Sequence, residues 1–202
     1  MPSESFLELD LSIIFVLSVI LIWFMIFYQL ILTMAGFFHY RSSKKEKKKV
    51  DKLVFDFPRV TILIPAHNEE KVIAYTIEAM LKLEYPNDKL DILVINDGSS
   101  DHTADIVHGY AVKDSRLRLY NVPKGEGGKG KSCALNLGLK QTDAEYIAVY
   151  DADNTPDPSA LKYLMIQMLQ DQTLGAALGK FRTVNKKRNL LTRFINIETL
   201  GF

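Results

Sequence analysis

Among 202 residues there is a single cysteine, Cys133. That excludes an intramolecular disulfide framework and a zinc site built from cysteines. An excess of charge of either sign is also missing: 25 Lys and Arg face 24 Asp and Glu, for a net charge of +1. This balance averages unlike segments and therefore says nothing about partners. Hydrophobic residues make up 48% and charged residues 24%, a globular composition that excludes disorder of the whole chain. The length allows one domain, or one domain and an appendage.

One absence is local. No formal charge occurs between Leu11 and Phe38, a run that includes Ile13, Ile14, Phe15, Val16, Ile20, Leu21, Ile22 and Trp23. Crossing the hydrocarbon takes about 20 apolar residues, so the run is long enough to span with some tilt. A cleaved signal peptide would start basic and carry a shorter apolar core, whereas here Glu4, Glu8 and Asp10 come first. The expectation is one transmembrane helix over residues 11–38, with 1–10 extracytoplasmic. Arg41, Lys44, Lys45, Lys47, Lys48, Lys49 and Lys52 follow, against only Glu46 and Asp51. Such a cluster reads as positive-inside, placing everything downstream in the cytoplasm. Residues 39–57 are then a basic juxtamembrane linker and the partner is a lipid bilayer. With no aromatics interleaved, nucleic acid is not expected as a partner.

Downstream, continuous apolar runs alternate with helical spacing. Strands are predicted at Val60–Pro65, Leu90–Ile95, Leu117–Val122, Tyr146–Tyr150 and Gly175–Phe181. Helices are predicted behind Asn68 as cap, over Thr103–Val112, over Ser132–Lys140, from Pro158 to Gln170, and over Asn189–Phe202. This alternation means an α/β fold with a parallel sheet and right-handed crossovers. Ligands then sit beyond the carboxyl ends of the strands. Every polar cluster falls at such an end: Asn68 and Glu69, Asp97, the glycine- and lysine-rich stretch 124–131, and Asp151 with Asp153. These should converge on one cleft.

Asp151 and Asp153 put two hard oxygen donors near one point, a set suited to Mg²⁺ or Mn²⁺ completed by phosphate oxygens. Residues 125–132 read GEGGKGKS, a literal match to the phosphate-binding P-loop. Two βα units precede it, however, so a phosphate contact of another kind and a plain solvated loop both stay open. Asp97 could hydrogen-bond a base or ribose, or satisfy its own turn. His67, His102 and His108 lack metal spacing and read as surface or turn residues, and Cys133 reads as a small hydrophobe on its helix.

Four blocks in order are IPAHNEE (64–70), VINDGSSDHTADI (94–106), GKGKSCALNLGL (128–139) and YIAVYDADNTPDPSAL (146–161). Together they resemble the family 2 glycosyltransferases, in particular the membrane-embedded processive synthases of poly-N-acetylglucosamine, cellulose, chitin and hyaluronan. The resemblance covers residues 58–202. It implies a GT-A fold, Rossmann-like, with a mostly parallel sheet, and an inverting transfer from a nucleotide-diphosphate sugar, usually a UDP-sugar, to a glycan acceptor. By that resemblance Asp97 contacts the nucleoside, and Asn68 and Glu69 lie in the segment that wraps the base. Lys131 reaches the diphosphate, and Asp151 and Asp153 form the metal-binding Asp-x-Asp. Asn96 stands where the family often has an aspartate. The family's general base and its acceptor-side Gln-x-x-Arg-Trp motif find no match in 155–202, and Trp23 is the one tryptophan. The chain is thus expected to be the donor-binding half of a longer, multi-pass synthase that binds donor and metal without transferring sugar. Two other readings remain: a membrane-tethered P-loop nucleotide hydrolase using 125–132, and a non-catalytic nucleotide-sugar-binding membrane protein.

Overall fold

The structure is a computed structural model, and it describes residues 3–50, 55–123 and 125–180. It divides into two units, residues 1–54 and 55–202. The first contains helix α1, Ser3–Val50. Within α1, Ser12–Ser42 is long and apolar enough to cross a membrane. At 1.5 Å per residue those 31 residues extend about 46 Å, more than a hydrocarbon core of about 30 Å. Of residues 39–57, expected as a basic juxtamembrane linker, those up to Val50 continue the helix. Lysine and glutamate are good helix formers, so the helix has no local reason to stop where the apolar run does.

The second unit runs β1 (Val60–Ala66), α2 (Ile73–Leu81), β2 (Leu90–Asn96), α3 (Thr103–Ala111), β3 (Leu117–Asn121), α4 (Lys131–Leu139), β4 (Tyr146–Val149) and α5 (Ala160–Gln170). The four strands form one sheet in the order β3-β2-β1-β4. All its pairs are parallel, with Val60 opposite both Leu90 and Tyr146 and Ile92 opposite Leu117. The direction of winding reverses between β1 and β4, the kind of place where open α/β sheets bind ligands.

Both faces are covered where the strands read as unbroken apolar runs. Ile62, Ile64, Ile92 and Val94 pack on one side with Ile73, Ile77 and Met80 of α2, Val107 of α3 and Leu161 of α5. On the other side Leu63, Leu93 and Ile95 pack with Ala134 of α4. The helix lies close because Gly138 has no side chain: a Cβ there would stand 2.4 Å from Ile95 Cδ1 and 3.6 Å from Leu63 Cδ2. Towards β4 this second face stays open, with Ile147 and Val149 exposed.

Two predicted elements differ. Residues 175–180 form no strand; Gly175, Ala176, Ala177 and Gly179 have low β propensity, and none of the four described strands pairs with them. The helix behind Asn68 begins only at Ile73. Asn68 has φ 58°, a left-handed backbone rather than the extended one of a helix cap. The Glu69 carbonyl accepts the N–H groups of Val72 and Ile73 and so starts the turn. The helix predicted over Asn189–Phe202 lies outside the described residues.

Candidate active site

Because the strands are parallel, the segments leaving β1, β2, β3 and β4 emerge at one edge of the sheet. Hydrogen bonds join them into a ring. Asn68, after β1, donates its N–H to Ser99 Oγ at 3.0 Å, and its Oδ1 accepts the Ser100 N–H at 2.8 Å. The short amide side chain tolerates the left-handed backbone while holding the β2 loop. Next to it, His67 Nδ1 lies 2.7 Å from the Asp97 carbonyl. Glu69 gives its N–H to Thr103 Oγ1 at 2.9 Å, at the start of α3.

Asp97 is buried, with 7% of its surface exposed. Its Oδ1 accepts the N–H of Gly128 at 2.8 Å, which pins the glycine loop to the end of β2. Gly127 makes the approach possible: a Cβ there would sit 3.2 Å from Asp97 Oδ1. Gly125, Gly128 and Gly130 all have positive φ, so the loop needs residues without a Cβ penalty. The loop delivers Lys131 to the first position of α4. There its Nζ pairs with Asp151 Oδ1, both side chains being about half exposed.

Asp151 and Asp153 are exposed on either side of buried Ala152. The turn that carries them is fixed by backbone bonds from Tyr150 N–H to the Leu63 carbonyl and from Asn154 N–H to the Asp151 carbonyl, each 3.1 Å. From α2, Thr76 Oγ1 donates to the Ala152 carbonyl at 2.6 Å and closes the ring. Asp101 braces the neighbouring loop. Desolvation opposes its ionisation, but hydrogen bonds from Thr103 and the Glu70 N–H outweigh it and hold the carboxyl below its usual range.

The predicted residues therefore come together: Asn68 and Asp97 through the first two loops, Lys131 and Asp151 through an ion pair, Asp153 one turn residue beyond. Among the described residues no cluster of three or more His, Cys, Asp or Glu could hold a metal on its own. Two exposed carboxylates on one fixed turn do suit a hard divalent cation that completes its shell with phosphate oxygens. Sequence reading missed Thr76, Ser99, Ser100 and the tight approach of Gly127. Of these only Thr76 left a trace, a lone hydroxyl on an otherwise apolar helix face.

Residues 61–201 match the family model described as Glycosyl transferase family 2. The chain belongs to that family. The probable glycosyltransferase YdaM of Bacillus subtilis (strain 168) is 45% identical over 189 residues, which cover 94% of this chain and 45% of that protein. A poly-beta-1,6-N-acetyl-D-glucosamine synthase of Staphylococcus aureus (strain COL) is 35% identical over 159 residues, 79% of this chain and 36% of the relative. The chain thus spans less than half the length of either. In the solved structures, the mannosyltransferase PcManGT from Pyrobaculum calidifontis, in complex with GDP-Man and Mn²⁺, is similar with a TM-score of 0.53 and 29% identity. The likeness covers 72% of this chain and 44% of that one. The sheet and its helices are accordingly GT-A-like. Family membership accounts for all four sequence blocks, where a P-loop would account only for 125–132. Nor is the loop laid out for phosphate alone, since its Gly128 amide is already given to a carboxylate.

Proposed function

We propose that this chain carries the donor- and metal-binding half of an inverting glycosyltransferase that takes a sugar from a nucleotide-diphosphate sugar, a UDP-sugar in the first instance, to a growing glycan at the membrane. The observation that carries the reading is the ring itself. One closed circuit of contacts holds Asp97, Lys131 and the Asp151-Ala152-Asp153 turn at the carboxyl edge of the sheet. Asp97, with Asn68 and Glu69 in the segment beside it, receives the nucleoside. Lys131 faces the diphosphate, and Asp151 and Asp153 hold Mg²⁺ or Mn²⁺. A bound cation supplies charge neutralisation where the leaving nucleoside diphosphate develops negative charge. The ammonium of Lys131 adds to this from the start of α4. Transfer also calls for a general base and acceptor-binding groups, which find no match in 155–202; residues 1–202 thus bind donor without transferring sugar.

The apolar span Ser12–Ser42 and its basic flank support a membrane anchor with the N-terminus outside and residues 58–202 cytoplasmic. Growth of a glycan by a polysaccharide synthase, as in the staphylococcal relative, fits a catalytic unit tethered at the bilayer.

The test is a nucleotide titration on the detergent-solubilised chain, with UDP, a panel of UDP-sugars, GDP-mannose and ATP, each with and without Mn²⁺. Uridine nucleotide binding that requires the metal and vanishes in Asp153→Ala is expected. Metal-dependent ATP binding that ignores UDP and GDP-mannose, and is abolished by Lys131→Ala, would overturn the reading in favour of a nucleotide hydrolase.

A further inference from the structure

Thr76 is buried to 1% exposure in the middle of α2, where a β-branched hydroxyl residue is neither a good helix former nor an ordinary core residue. A helical threonine commonly returns its proton to the carbonyl four residues back. Here that contact, to the Val72 carbonyl, is long at 3.5 Å, while the Ala152 carbonyl stands at 2.6 Å. A hydroxyl has one proton to give, and the geometry sends it across to β4's turn. Ala152 is itself buried, at 5% exposure, so its carbonyl has little water to turn to.

The Ala152 carbonyl is part of the planar peptide that leads into Asp153. Fixing that oxygen fixes the plane, and with it the direction in which the chain enters Asp153. On the other side of Ala152, the Asp151 carbonyl is held by the Asn154 N–H. We infer that Thr76 is a positioning residue for the Asp-x-Asp pair: its hydroxyl sets the relative placement of the Asp151 and Asp153 carboxylates so that both address one divalent cation. The inference rests on the metal-site reading given above. Partners one shell removed from a metal typically change its affinity by about ten- to a hundredfold when removed.

The experiment compares Thr76→Val, which keeps the shape and loses the hydroxyl, with Thr76→Ser, which keeps the hydroxyl. Val107→Ala, a core truncation in α3, serves as a control for destabilisation alone. UDP affinity with and without Mn²⁺ is measured on the detergent-solubilised chain, and amide hydrogen exchange is followed across residues 150–157 without ligand. Thr76→Val is expected to weaken Mn²⁺-dependent UDP binding by about tenfold or more, leaving the metal-free component unchanged. It should also speed exchange in the 151–154 turn. Thr76→Ser should restore both, and Val107→Ala should move neither. Mn²⁺-dependent binding in Thr76→Val equal to wild type, or failure of the serine to rescue, overturns the inference. If the wild-type chain binds no metal–nucleotide at all, the functional reading is what fails. Exchange in the turn then still decides about Thr76, and unchanged protection in Thr76→Val refutes its role.

Discussion

Replacing Gly138 by alanine tests how closely α4, the helix that begins at Lys131, is held on the sheet. Two effects oppose. Alanine is the better helix former by about 0.5–1 kcal/mol, and Gly138 has an ordinary helical backbone that alanine can adopt. Against this, the new methyl would lie 2.4 Å from Ile95 Cδ1 and 3.0 Å from its Cγ1, where real contacts do not occur. Ile95 is fully buried and cannot swing into solvent, so the helix or the isoleucine must shift. Overpacking of this kind costs about 1–3 kcal/mol. The expected net effect is a loss of about 0–2.5 kcal/mol. The sharper test is the pair with Ile95→Val, which deletes the Cδ1 in the way and by itself costs about 0.5–1.5 kcal/mol. Combined, the alanine methyl occupies the vacated space, and the double variant should be more stable than the two single losses predict by about 1 kcal/mol. Pulse proteolysis in urea reads the second unit without depending on α1. A Gly138→Ala chain clearly more stable than wild type, or strictly additive losses in the double variant, would refute the close approach. It would also remove the reason for thinking that α4 holds Lys131 in a fixed place.

Lys131→Met should cost no more than about 1 kcal/mol of stability, because its ion pair with Asp151 is half exposed. It should nevertheless weaken UDP binding by about tenfold in titration, a separation that marks the lysine as a ligand contact rather than a prop. Asn68→Gly should be better tolerated than Asn68→Ala by about 1 kcal/mol, since alanine must adopt the left-handed backbone and glycine does so freely; urea midpoints decide. Asp101 and Asp114 both have carboxyls held below their usual range, Asp101 against desolvation by its hydrogen bonds from Thr103 and Glu70, Asp114 first by its hydrogen bond from Arg116. A depressed folded value means that their stabilisation is present above the unfolded pKa of about 3.9 and disappears as the pH falls through the folded values. Stability measured from pH 6 to pH 3 should therefore decline below about pH 4, and less steeply in Asp101→Asn.

The order of strands and helices was legible because each buried strand is an unbroken apolar run, and runs such as VTILIP and LDILVI can be satisfied only between two covering layers. The position of the site was legible for the same reason. Once the strands are parallel, their carboxyl ends share an edge, so Asn68, Asp97, Lys131 and Asp151 had to meet there. The apolar run 11–38 announced a long helix, and the helix-forming lysines and glutamate beyond it carry that helix on to Val50. Reading the weak strand at 175–181 from its apolar residues gave too little weight to its glycines and to the need for a neighbouring strand, which is a property of the sheet and not of the segment.

What tertiary structure alone decided is how the clusters are joined. Asn68 looked like a helix cap because capping chemistry is local. Its actual role depends on Ser99 and Ser100, some thirty residues away, which only the pairing of β1 with β2 brings within reach. The same holds for Gly127, whose missing side chain matters because Asp97 stands against it, and for Thr76, whose hydroxyl has its partner in the turn after β4. A sequence specifies which chemistry each strand end presents through patterns a few residues long. The distances at which those groups meet come from register, strand order and close packing, which exist only once the sheet has formed.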